Sequence, residues 1–152
     1  MTGKGLLAFD PGKGGGLAIY RPSGKIDLRP WTVEHELLDV IDSVDPTSYE
    51  AVIEDVPAFV SAATSNASSF KLGYNFGFIV GCCRMHELPT HLVKPKEWQK
   101  GLSGLRANMG YAARKRQLKD NAVRLYPDLK ITNATADAVL IMDFWKSKWT
   151  QA

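Results

Sequence analysis

A short apolar run that ends in an acid and then breaks into glycines constrains this chain more than any other feature. Leu6-Leu7-Ala8-Phe9 reads as a buried strand with Asp10 at its end. Pro11-Gly12-Lys13-Gly14-Gly15-Gly16 permits only a tight turn. Leu17-Ala18-Ile19-Tyr20 resumes the apolar pattern, so the two runs pair as a hairpin. Pro22-Ser23-Gly24 turns again, into a third strand over residues 25–33, which completes an antiparallel meander.

From Glu34 to Val44, Leu37, Leu38 and Ile41 recur at helical spacing with acids opposite, which predicts a helix. Glu50 to Glu54 is a fourth strand, parallel to the first after that crossover and stopped by Pro57. A loop rich in Ser, Ala, Asn and Thr follows over residues 58–68. Phe70 to Glu87 reads as a long apolar helix. Its Gly73, Gly77 and Gly81 recur every fourth residue, and close packing of this helix on the sheet is expected. Thr90 to Val93 is a fifth strand, 96–102 a short helix and 103–108 a mobile loop. A basic helix covers 112–125 and a last helix 134–148. The short segment 96–102 aside, the order is βββαβαβαα. It predicts one α/β domain over residues 1–152: a five-stranded mixed sheet, its first three strands antiparallel, flanked by helices.

The length of 152 residues supports one domain with a real core. No apolar run reaches the roughly 18 residues of a membrane span, and Met1 to Gly5 lacks the features of a secretory signal. Cys82 and Cys83 are adjacent in an apolar stretch and read as small buried residues of a reducing compartment. A cytoplasmic protein with no membrane partner is expected. The net charge is only +3, but it is unevenly spread. Asp27 to Asp55 holds nine acids against Arg29 alone, a net −8, whereas Lys94 to Lys130 holds ten bases against three acids, a net +7. A basic half of this kind suits a polyanion, nucleic acid above all, although a solvated helix face has the same composition.

Three carboxylates fall where elements end: Asp10 after the first strand, Glu54 at the end of the fourth, and Asp137 in the first turn of the last helix. Strands one and four are neighbours in this topology. The small residues around Asp137 (Ala134, Ala136 and Ala138) let its helix lie close to the sheet. Each acid alone has a structural reading: support of a turn for Asp10, compensation of the helix dipole for Asp137. Clustered carboxylates repel unless a cation neutralises them, and hard oxygen donors without a histidine or thiol cluster select Mg²⁺ or Mn²⁺. With a basic half nearby, the matching chemistry is two-metal phosphodiester hydrolysis.

The ordered motifs Ala8-Phe9-Asp10-Pro11-Gly12, Val52-Ile53-Glu54-Asp55-Val56, Ser69-Phe70-Lys71-Leu72-Gly73, Val93-Lys94-Pro95-Lys96-Glu97-Trp98, Lys115-Arg116-Gln117-Leu118 and Ala136-Asp137-Ala138-Val139-Leu140 span nearly the whole chain. In that order they resemble the RuvC family of Holliday-junction resolvases, especially its phage-type relatives, within the RNase H-like superfamily. The resemblance implies a homodimeric endonuclease that cuts four-way DNA junctions symmetrically in a bacterial or phage-infected cell. Water would be the nucleophile and two divalent ions would sit at the acid cluster. Asp10 would bridge the ions and Glu54 and Asp137 would each hold one, leaving a 5′-phosphate nick. The family's fourth acidic or histidine ligand is replaced here by Asn133 and Ala134. Asn133 reads as a ligand or as the helix N-cap, and Asp55 is a further candidate if the chain bends before Pro57. Asp143, six residues past Asp137, falls off that helical face.

The resemblance also assigns DNA contacts. Phe59, in the loop after Glu54, is placed to wedge between bases or to staple its loop to the core. Lys71 and Lys115 match basic positions of the family, and Lys13, Lys94, Lys96, Lys100, Arg114 and Arg116 extend a phosphate track. Trp98 reads as core. The apolar helix 70–87 is the candidate dimer interface. Two other functions fit the junction motifs: a broader branched-DNA debranching nuclease and a non-catalytic junction binder. An actin-like kinase shares Asp10-Pro11-Gly12, but it needs a second such domain and a second phosphate loop, which this chain lacks.

Overall fold

The computed structural model describes residues 3–31, 34–57 and 64–152. The glycine-closed hairpin forms as its composition requires: β1 (Gly5–Phe9) pairs antiparallel with β2 (Gly16–Tyr20), and β2 with β3 (Ile26–Pro30). Helix α1 (Glu34–Asp42) crosses over to β4 (Tyr49–Glu54), which lies parallel to β1, and β5 (Thr90–Val93) adds parallel to β4. The sheet order is β3-β2-β1-β4-β5.

Strand alternation divides the core in two. Leu7, Phe9, Ala51 and Ile53 face one way, against α1 and α2 (Asn66–Met85). Leu6, Ala8 and Val52 face the other way, against α4 (Tyr111–Leu125), α5 (Ala136–Gln151) and Trp98 of the short α3 (Pro95–Trp98). Both layers are closely packed, with Phe9, Ile53, Ile79 and Ile141 fully buried. Each such side chain contributes about 1.5–3 kcal/mol through burial.

Several boundaries differ from the expectations. Helix α2 begins at Asn66, four residues early, because Ser65 caps it by accepting from Ser68 N at 3.2 Å. The segment after residue 102 is not free: Asn121 accepts from Ser103 N at 3.0 Å, and Asn121 and Gln117 each donate to Ser103 O at 2.9 Å. Helix α5 starts at Ala136 because residues 132–135 form a tight turn, with Thr132 N donating to Thr135 Oγ1 at 3.1 Å. Asn133 is therefore an exposed turn residue and not the N-cap, which is Thr135.

The glycine stripe of α2 is the largest departure. A Cβ added at Gly73, Gly77 or Gly81 meets nothing within 4 Å, so these residues face outward and do not pack on the sheet. The inward face carries Asn75, Ile79, Val80 and Cys83 instead.

Candidate active site

Asp10, Glu54 and Asp137 converge because of register. Phe9 pairs with Ile53 across the parallel β1–β4 ladder, so Asp10 and Glu54 follow side by side at the carboxyl ends of adjacent strands. Alternation turns both toward the face that α5 covers, and Asp137 lies in the first turn of α5. Two close approaches fix that packing. The added Cβ of Gly15 would stand 2.2 Å from Asp10 O, and that of Gly16 2.5 Å from Ala134 O just ahead of α5. Both sites admit only glycine. Asp10 N donates to Gly16 O at 2.9 Å to close the turn, and the buried Asn75 of α2 donates to Pro11 O at 3.3 Å.

The three acids share an electrostatic environment. Burial, then the charge of Asp137, raises the Asp10 carboxyl to about 6, with Lys115 and the Gly12 N–H (3.0 Å) pulling the other way. Burial, then the charge of Asp10, raises Glu54 to about 8, against a hydrogen bond from Trp98 Nε1 to Glu54 Oε2 at 2.8 Å. Asp137 receives the Lys115 ammonium on Oδ2 at 2.5 Å, while its Oδ1 is buried and has no hydrogen-bond partner. Burial disfavours the Lys115 charge, but the ion pair with Asp137 outweighs it and holds the ammonium above its usual range.

A buried carboxylate is not by itself a site, as Glu50 on the same sheet face shows. It accepts from Trp145 at 3.0 Å, Trp149 at 2.6 Å and Lys4 at 2.9 Å. Burial raises it, these partners outweigh burial, and it stays below the usual carboxylate range. Asp137 Oδ1 differs in lacking any such partner, among buried side-chain atoms of the described residues. The donor set is all oxygen, buried and short of positive charge, which fits a hard divalent cation. Among the described residues no group of three or more His, Cys, Asp or Glu is arranged to hold a metal ion outright. Two of the three acids have other partners: Glu54 accepts from Trp98 and Asp137 from Lys115.

Beside the acids lies a cleft of about 670 Å³ bordered by Lys13, Lys115, Arg116 and Lys119, with the exposed Tyr111 and Asn133 on its walls. Of the expected DNA contacts, Lys13, Lys115 and Arg116 thus come together. Lys119 and Tyr111 join them without having been singled out, although the i, i+4 spacing of Lys115 and Lys119 carried that signal. Lys94, Lys96 and Lys100 are exposed around α3, and Lys71 is exposed on α2, away from this cleft. Arg114 instead ties α4 to Gln99 and to Arg106 O. Asp55 lies one residue past the end of β4, where its N–H donates to Val93 O at 2.8 Å and closes the last pair of the ladder. Asp143 accepts from Tyr126 at 2.7 Å, off the site as expected. Phe59 lies outside the described residues.

No protein-family model and no curated protein matches the chain. Solved structures do. T. thermophilus RuvC in complex with a Holliday junction substrate is 13% identical, covers 97% of each chain and gives a TM-score of 0.62. Thermus thermophilus RuvC alone is 14% identical, with 96% of this chain and 97% of that one covered and a TM-score of 0.59. The chain has the RuvC-like variant of the RNase H-like fold.

Proposed function

We propose that this chain is a Mg²⁺- or Mn²⁺-dependent endodeoxyribonuclease that resolves four-way DNA junctions. The observation that carries the reading is the pole where Asp10, Glu54 and Asp137 meet beside a basic cleft. A fold shared with a RuvC solved on its junction substrate supports the choice of branched DNA.

In this reading Asp10, Glu54 and Asp137 would hold divalent ions when DNA is bound, and the ions would supply Lewis-acid polarisation of the phosphate and activation of water for hydrolysis to a 5′-phosphate nick. Lys13, Arg116 and Lys119 neutralise backbone phosphates, and Trp98 fixes the rotamer of Glu54. Residues 1–152 act as one nuclease domain, nucleic-acid associated in a bacterial or phage-infected cell, in DNA recombination and repair. No helix of the described residues is long and apolar enough to cross a membrane. Paired incision calls for a homodimer. The outward face of α2 suits it, with its open glycines and with Phe70 at 76% and Met85 at 86% exposure.

A fixed synthetic four-way junction tests the reading. Symmetric nicks under Mg²⁺ or Mn²⁺ are expected, abolished in Asp10→Asn while binding survives. Junction binding without nicking by the wild type would instead make the chain a non-catalytic binder. The engagement of Asp137 by Lys115 favours that reading. Equal cleavage of junctions, flaps and forks would make it a general debranching nuclease.

A further inference from the structure

We propose that Lys115 is a built-in counter-cation of the acid cluster, competing with divalent ions at Asp137 so that the DNA-free protein takes one ion per chain, not two. The inference rests on the metal-dependent reading above and concerns how its site is loaded.

The geometry is specific. Lys115 projects from α4 across to the first turn of α5, and its Nζ meets Asp137 Oδ2 with only 31% and 9% of the two side chains exposed. The other oxygen of Asp137 has no partner, so one half of this carboxylate is neutralised and the other left bare. The Lys115 charge is also felt by Asp10 and Glu54. Once all three acids are ionised, as a bound cation would hold them, three carboxylates and one ammonium leave a net charge of −2, which a single divalent ion neutralises. A second ion would have to enter beside the ammonium, against its repulsion, and ahead of Asp137 it would meet the exposed amide of Asn133 in place of a fourth acid. The lysine does have another place to go: it lines the basic cleft together with Lys13, Arg116 and Lys119, where a DNA phosphate is expected.

Mn²⁺ titration into DNA-free protein, followed by calorimetry and by the loss of the free-ion paramagnetic resonance signal, tests this. The wild type should bind one Mn²⁺ per chain. Lys115→Met and Lys115→Gln should bind a second ion and hold the first at least about tenfold tighter, since removing a buried positive charge at this distance changes affinity on that scale. Melting in a chelator and in Mn²⁺ reports folding independently, and both variants should gain more from Mn²⁺ than the wild type does. Two ions in the wild type, or wild-type isotherms from both folded variants, would overturn the inference and leave junction nicking unaffected. No binding by any of the three proteins would overturn it together with the metal-dependent reading.

Discussion

Trp98 is the residue whose role follows most directly from one contact. Its indole is 98% buried, so its N–H requires an internal partner, and Glu54 Oε2 is that partner at 2.8 Å. Trp98→Phe keeps most of the ring volume and removes only the donor. Nicking should slow by about tenfold, the worth of a hydrogen bond to a charged group, while junction affinity stays unchanged. Gel-based cleavage beside a binding isotherm separates the two effects, and a parallel fall in both would refute a positioning role. The acids themselves predict a pH dependence. Asp10 is raised from 3.8 to about 6 and Glu54 from 4.5 to about 8. Each binds its proton more tightly folded than unfolded, so their contribution to stability is complete below about pH 4 and is lost as pH rises through 6 to 8. Glu50 and Asp27, held below their usual range, act oppositely, and their contribution is lost as pH falls through the acid range. Metal-free protein should therefore melt several degrees lower at pH 8.5 than at pH 5.5. Mn²⁺ should close the gap by stabilising the ionised carboxylates. A flat profile between those two pH values would count against the shared buried cluster.

At the scale of elements, the glycine turn and the glycine helix make opposite predictions from the same residue type. Gly16→Ala drives a methyl to 2.5 Å from Ala134 O and 2.9 Å from Arg29 O, both backbone atoms that cannot rotate aside. It should cost about 3 kcal/mol, the upper range for overpacking, and should shift α5 enough to impair nicking. Gly73→Ala meets nothing and sits in a helix, where alanine is favoured by up to about 1 kcal/mol. Urea unfolding of the two variants checks the contrast. The same contrast shows what could be read in advance. Period-two runs, Pro-Gly turns and element ends were legible, and they placed Asp10, Glu54 and Asp137 together, because local chemistry and register determine them. The outward turn of Gly73, Gly77 and Gly81 was not legible, since α2 is apolar all round and its pattern does not say which side meets the sheet. The pairings Trp98–Glu54 and Lys115–Asp137 join residues 44 and 22 positions apart, and spacing along the chain does not encode such meetings.

At the scale of the whole molecule, the proposed function couples the acid pole to the outer face of α2. A four-way junction presents two equivalent strands, and under the proposed function one acid cluster per chain would cut one of them. The groove of about 470 Å³ between α1 and α2 is lined by Leu38, Gly77, Phe78, Gly81, Cys82 and Met85 among others, and it adjoins the open glycine face. A second copy of the helix can approach such a face closely, because no side chain stands between the backbones. Gly77→Gln fills that approach, and its Cβ meets nothing within 4 Å in the single chain. In a single chain it should be neutral or stabilising, as glutamine is the better helix former. Sedimentation at micromolar concentration should show the wild type as a dimer and Gly77→Gln as a monomer. Cleavage of a plasmid-borne cruciform should change from linear product, which needs paired cuts within one complex, to nicked circles. A Gly77→Gln protein that still sediments as a dimer and still linearises the cruciform would move the interface off α2. A wild type that stays monomeric on junction DNA would remove the homodimer altogether, and each incision would then be an independent event.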